Sequence, residues 1–346
     1  MTVRNSTSSK PLQHDCTVWR NSSQAAANLY KNGVKLWKKH DLTDIERQLA
    51  DSKTQSVFTV RLIDGTTLDI TNPMFGEESP IWKPRIKFQE YWRLVKDQPD
   101  GPPETYHCTY LLSWTNTTAR SFRGVVANPS SLFDDNRLAW NESRSCELLR
   151  SRFEQISATK KVKRIVCFGL GDICRKPPEW MGRYPASGDH NLEISFVRGA
   201  MVQHSIALTL AQICSDIAGY DVQLLAQDPD YTDEAKAILK GNGFSIVGDY
   251  GAGGFAKVDD DSVVFSVFVE APLKQIIADI ARPLMIISTG FDTFNDSEKP
   301  WMDAESPRTV DMWEEYEEKT SFPISPGDGE LMSKMRDVYL YVRKGI

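Results

Sequence analysis

A chain of 346 residues, 40% hydrophobic and 25% charged, holds enough apolar material for one large or two modest folded units, which excludes disorder of the whole. Its net charge of −6 excludes the overall basic face of a dedicated DNA-binding protein, so any nucleic-acid contact must use a local patch. No apolar run approaches the roughly 20 residues a membrane-spanning helix needs, and the Ser- and Thr-rich start lacks secretory character; no membrane partner is expected, and the cytoplasm is the expected compartment.

Six cysteines (Cys16, Cys108, Cys146, Cys167, Cys174 and Cys214) form no C-x-x-C pair and have no His at finger spacing, so free thiols and no structural metal are expected. Residues 1–20 are expected to be a disordered tail. Residues 21–158 are predicted to be a mixed α+β extension. Within it, 28–50 is helical with a break near His40 and Asp41, resuming behind Thr43 as a cap. From 57 to 70 the period changes to two: Phe58, Val60 and Leu62 alternate with polar neighbours, and Asp64-Gly65 between two β-rich arms predicts a hairpin. An aromatic, proline-punctuated stretch at 81–103 precedes a further strand at 106–114. This part is expected to be appended to the main sheet.

An amphipathic helix at 141–157 leads into the apolar run 163–168, which stops at Gly169-Leu170-Gly171-Asp172 as a central parallel strand does before a tight turn. From Val202 onward, Ile206, Leu210, Ile213 and Ile217 recur at helical spacing and predict a helix with one buried face. Strands follow at 222–226, 244–247, 263–269 and 284–288, with helices at 232–240 and 273–280 between them. Alternation of this kind predicts an α/β fold: a Rossmann-like parallel sheet with helices on both faces, over 159–292. Residues 293–346 are expected to wrap around it and end in a helix.

In such sheets ligands bind beyond the carboxyl ends of the strands, near the point where the strand order reverses. That rule selects 169–172, 227–231, 268–270 and 288–292. Gly169 and Gly171 permit close backbone approach, but Cys174 stands where a dinucleotide fingerprint has its third glycine, and no P-loop is present; no cofactor is expected. Asp228, directly after a strand, is placed to meet a hydroxyl or a guanidinium, whereas Asp233 and Glu234 suit the first turn of the next helix. Gln203 and His204 are expected to open the long helix, where its dipole would lower the histidine pKa. Glu270 is expected at the end of an apolar strand, and Ser266 is a nucleophile candidate without an elbow motif. The connection 173–200 is long enough for a lid or binding loop. Lys160, Lys161, Lys163 and Arg164 form the densest basic run.

The ordered series Ile165-Val166-Cys167-Phe168-Gly169-Leu170-Gly171, Gln203 with its Leu/Ile helix, Gln227-Asp228-Pro229 with Tyr231, and Leu239 with Gly243-Phe244 resembles the sensitivity-to-red-light-reduced domain family over about 163–287. Two departures stand out: the 173–200 insertion, and Val269-Glu270-Ala271-Pro272 where many members carry Pro-His-Cys. Plant, yeast and animal members look like regulatory proteins. A divergent fungal set looks like the arginine-containing cyclodipeptide synthases, which draw aminoacyl groups from tRNA, and the two departures with the N-terminal extension place this chain nearer to that set. The resemblance implies arginyl-tRNA and a second aminoacyl-tRNA as partners. For such a synthase, His204 and Tyr231 are expected to handle protons, Ser266 to serve as the acyl carrier if one exists, and Gly169, Gly171, Asp172, Gln203, Asp228 and Glu270 to bind substrate, with Asp172, Asp228 and Glu270 recognising the cation. Lys160, Lys161, Lys163 and Arg164 would meet the tRNA backbone. The alternative is a regulatory or small-ligand-binding protein without catalysis.

Overall fold

The computed structural model describes residues 17–96, 99, 101–118, 123–158, 160–177, 192–290, 303–317 and 319–345. The expected tail, Cys16, and residues 178–191 of the expected binding loop lie outside the described residues, as do 291–302.

The first helix, α1 (Thr17–Lys31), stops at Asn32-Gly33, where Gly33 takes φ +88°. The second, α2 (Lys39–Ala50), follows. The helical break is therefore at 32–38 and not at His40 and Asp41. Thr43 lies inside α2, its hydroxyl donating to the Lys39 carbonyl at 2.8 Å, so it is not the cap. Strands β1 (Val57–Arg61) and β2 (Thr67–Thr71) pair antiparallel as expected, with Phe58 and Val60 turned inward. The turn is closed by the Asp64 carboxylate, which accepts from Thr66 N at 2.9 Å while Gly65 sits at φ +87°. Strand β3 (Trp82–Phe88) pairs antiparallel with β4 (Tyr110–Asn116). Helix α4 (Arg144–Ser157) stands where a helix was expected at 141–157, and α3 (Pro129–Asn141), which was not expected, precedes it.

The main sheet holds parallel strands β5 (Arg164–Phe168), β6 (Gln223–Gln227), β7 (Ser245–Ile246), β8 (Ser262–Ser266) and β9 (Met285–Thr289). Its far edge is antiparallel, formed by β10 (Thr320–Ser321) and β11 (Val338–Val342). The order β10-β11-β9-β8-β5-β6-β7 reverses direction between β5 and β8, the switch point of a doubly wound sheet. Helices α5 (Leu192–Ala218), α6 (Asp233–Gly241) and α7 (Leu273–Ile280) connect the strands, and α8 (Pro307–Trp313) follows β9. The chain closes on β11, not on the expected terminal helix. Strand β8 ends at Ser266, short of the expected 269, because its ladders to β5 and β9 stop there.

Alternation along the strands splits the core in two. Ile165, Cys167, Leu224 and Phe265 pack with α3, α4, α5 and α6. Val166, Phe168, Leu225 and Val264 pack with α7, α8 and the N-terminal elements. Trp37, Leu42, Ile45 and Phe58 are fully buried in this second cluster. Each contributes about 1.5–3 kcal/mol of burial against a typical domain stability of about 5–15 kcal/mol. The extension is built onto the sheet as expected, its elements up to β4 covering one face while α3 and α4 pack against the other. The long helix α5 begins ten residues before the expected Val202, and residues 201–207 are all buried, since it is enclosed between the sheet and α3 and α4; Ile217, which the spacing put on the buried face, is exposed near its end.

Candidate functional site

Three loops leave the carboxyl ends of β5, β6 and β8 and meet beside the switch point. Gly169, Gly171, Asp228, Phe268 and Glu270 line a crevice of about 240 Å³ there, and Arg85 of β3 closes it. A second cleft of about 530 Å³ adjoins it, sharing Arg85, Pro229 and Asp230, and is lined further by Lys83, Arg175, Asp233, Glu234 and Lys236. The N-terminal β3–β4 hairpin thus builds one wall of a site whose other wall is the edge of the parallel sheet.

Asp228 sits under the crevice with its carboxylate enclosed. One oxygen accepts from Gly171 N and the other from Asp230 N, both at 3.0 Å. Burial pushes its carboxyl up to about 6, against the opposing pull of the Gly171 N–H and of the Arg85 charge. Asp172 does not join it. Its carboxylate is spent on the N–H groups of Cys174 and Arg175, each at 2.7 Å, and of Thr232, so it staples the glycine turn to the loop after β6. The expected substrate contact at Asp172 is replaced by a structural one.

Glu270 is exposed and lies in the loop beyond β8, not at a strand end. Its carboxylate receives Arg85 Nη2 at 3.1 Å, while Arg85 Nη1 reaches Asp230 at 3.3 Å. The guanidinium for which these acids seemed suited is supplied by the chain itself. At Gly169 (φ +61°) an added Cβ would stand 2.3 Å from the Phe268 carbonyl oxygen, so the close approach this glycine permits is to the chain's own backbone.

His204 and Tyr231 form a pair inside the core. The Ala200 carbonyl can only accept, so Nδ1 of His204 carries the proton at 2.7 Å and Nε2 accepts the Tyr231 hydroxyl at 2.7 Å. His204 is fully buried in mid-helix, and burial holds it down at about 4; the helix-start dipole expected from the sequence plays no part. Tyr231 borders the larger cleft but is 5% exposed, and burial raises its hydroxyl well above the ordinary phenol value. The pair acts as a strut beneath the loop after β6. Gln203 is also buried, its side-chain oxygen without a hydrogen-bond partner among the described residues, and it borders neither cavity.

Ser266 is buried against a separate void of about 10 Å³ with Ser288 and Asp303, so its hydroxyl opens onto neither cleft. Lys160, Lys161, Lys163 and Arg164 lie at the amino end of β5, opposite the clefts. Lys160 donates to the Arg343 carbonyl at 3.3 Å, Lys163 meets Asp261 at 2.5 Å and Arg164 meets Asp259 at 2.8 Å; Lys161 is exposed. Among the described residues, no group of three or more His, Cys, Asp or Glu is placed to hold a metal ion, five cysteines are free and buried, and no helix is long and apolar enough to cross a membrane. The site residues that sequence reasoning missed are Lys83, Arg85, Arg175 and Lys236. Arg175 and Lys236 neighbour expected site loops in the chain, whereas nothing local in β3 marks Lys83 or Arg85.

The family model of the SRR1 domain matches residues 149–342, more than half of the chain. The chain belongs to the SRR1 domain family. The SRR1 match takes in α4 at one end and β11 at the other, beyond the span 163–287 read from the motifs, so the antiparallel edge is part of the family domain. The β3–β4 hairpin that walls the cleft stands outside the SRR1 match. No curated protein and no solved structure matches this chain.

Proposed function

We propose that this SRR1-domain chain is an aminoacyl-tRNA-dependent synthase that joins arginine to a second amino acid and closes the pair into a cyclodipeptide, with the carboxyl-end cleft as the site of acyl transfer. The observation that carries this reading is the two-signed lining of the larger cleft. Lys83, Arg175 and Lys236 suit the phosphates of an RNA end, and Asp233 and Glu234 suit a guanidinium, in a cavity of about 530 Å³.

In the transfer, the α-amine of one aminoacyl ester attacks the carbonyl of the other. A C–N bond forms, the ester C–O bond breaks, and the ribose hydroxyl of the tRNA leaves with the proton the amine gives up. A second, intramolecular aminolysis closes the ring. Holding both esters in one cleft supplies the orientation such a reaction needs. Asp228, with its carboxyl pushed up to about 6, is the group suited to carry the proton. Recognition of the arginine side chain passes from Glu270, which Arg85 holds, to Asp233 and Glu234, and no acyl carrier at Ser266 is needed.

The test is to incubate the purified chain with arginyl-tRNA and each other aminoacyl-tRNA and to look for products by mass. Arginine-containing diketopiperazines are expected; their absence with every aminoacyl-tRNA overturns the reading. A second reading, a non-catalytic protein holding a small ligand, is favoured by one observation: among the described residues, those that line the two cavities include no serine, cysteine or histidine. It would be supported by saturable binding of a small polar ligand in a preparation that forms no product.

A further inference from the structure

The cations around the larger cleft differ in how far their charge is already matched. Arg85 lies between Asp230 and Glu270, and Lys236 Nζ meets Asp249 at 2.8 Å. Lys83 has no ion pair among the described residues; its Nζ lies over the face of the Tyr250 ring, 4.9 Å from the centroid. Arg175 spends one N–H on the Asp230 carbonyl at 2.7 Å, while its buried Nε has no hydrogen-bond partner among the described residues. An antiparallel bridge to Val125 fixes the Arg175 backbone beside the cleft, and the β3–β4 register fixes Lys83 opposite Thr115 on the same lining.

We infer that Lys83 and Arg175 form a phosphate subsite on this wall, which takes the phosphodiester next to the aminoacylated end of a bound RNA. The subsite rests on the proposed function for the source of the phosphate, not for its chemistry. Guanidinium and ammonium donors left unspent in a partly enclosed cavity are what an incoming phosphate oxygen satisfies. Burial and repulsion from Lys236 lower the Lys83 ammonium below its usual range against the pull of Asp249, Glu46 and Asp233, and burial lowers Arg175 against the pull of Asp172 and Asp228, so the carboxylates nearby leave both cations short of full compensation and an arriving anion favours their charged forms. The exposed Lys161 at the opposite edge offers no cavity.

The experiment measures binding of a full-length arginine tRNA transcript, uncharged, to the wild-type chain and to Lys83→Gln, Arg175→Gln and Lys161→Glu, with thermal melting to verify that each variant folds. AMP and pyrophosphate are the competitor probes. Lys83→Gln and Arg175→Gln are each expected to raise Kd about tenfold or more and to reduce the slope of log Kd against log salt by about one. Should Arg175→Gln fail to fold, Lys83→Gln alone decides. Unchanged affinity in the Lys83 variant, a loss confined to Lys161→Glu, or no binding of any probe by the wild-type chain overturns the subsite. Binding of AMP or pyrophosphate that depends on Lys83, without tRNA binding, supports the subsite while removing the RNA and with it the proposed synthase.

Discussion

Two arginines tie distant parts of this chain together, and they do so in opposite ways. Arg308 is sealed. Its Nη1 meets Asp279 at 2.6 Å, its Nη2 donates to the Tyr30 and Val34 carbonyls at 2.7 and 2.8 Å, and its plane lies 3.8 Å over the Tyr30 ring. The other Asp279 oxygen accepts from Leu36 N and Trp37 N. Arg85 also joins the N-terminal elements to the family domain, but Asp230 and Glu270 keep 38% and 65% of their side-chain surface. A sealed pair cannot be exchanged without leaving a bare charge inside, whereas water or a ligand can replace an open one. The first arrangement holds the fold, and the second can take part in binding.

The sharpest way to break this contrast is to truncate Asp279. Asp279→Ala strands the Arg308 guanidinium and two backbone N–H groups, and a loss of about 3–5 kcal/mol in urea unfolding is expected. A loss below about 1 kcal/mol would show the network to be no staple.

The buried His204–Tyr231 pair gives the next effect, through pH. A histidine held at about 4 in the folded chain and near 6.5 unfolded stabilises fully above pH 6.5 and loses that contribution as pH falls toward 4. The loss approaches roughly 2 kcal/mol by pH 5. Relative to His204→Gln, the wild-type chain should therefore lose stability between pH 7 and pH 5; parallel pH profiles would mean that the histidine protonates without cost.

Glu90 runs the other way. Burial pushes its carboxyl up to about 7, so its ionisation in the folded chain is penalised, and stability is lost as pH rises from about 4.5 through 7. Glu90→Gln should compare more favourably with the wild type at pH 8 than at pH 5, by about 1–2 kcal/mol. A pH-independent difference would remove the buried charge from the account.

The smallest effect on stability belongs to Arg85. Arg85→Ala should cost under about 1 kcal/mol in unfolding, yet change ligand affinity in the cleft; a cost matching that of Asp279→Ala would place both arginines in one class.

Local pattern revealed those parts that local physics decides. Asp64-Gly65 between alternating arms is a hairpin, Gly169 and Gly171 end a central strand, and the loops after β5, β6 and β8 do meet. Signals present in the sequence were also passed over. Val338, Tyr339, Leu340 and Tyr341 are β-branched and aromatic enough to mark a strand, and that is what they form. Strand β3 is masked by Pro84 and its alternating charges. The apolar run 263–269 continues past Ser266 although its hydrogen-bonded ladder does not, which misplaced Glu270. The closing of the crevice was out of reach, because Arg85 meets Asp230 and Glu270 across 145 and 185 positions of chain. Spacing cannot disclose a contact that only tertiary packing creates.

Strand β9 acquires its second neighbour only when β11 arrives, some fifty residues later in the chain. Until the ribosome has delivered residue 342, the parallel half of the sheet has an open edge, with amide groups and apolar side chains available to other nascent chains. Chains released before residue 338 should accumulate in inclusion bodies during expression.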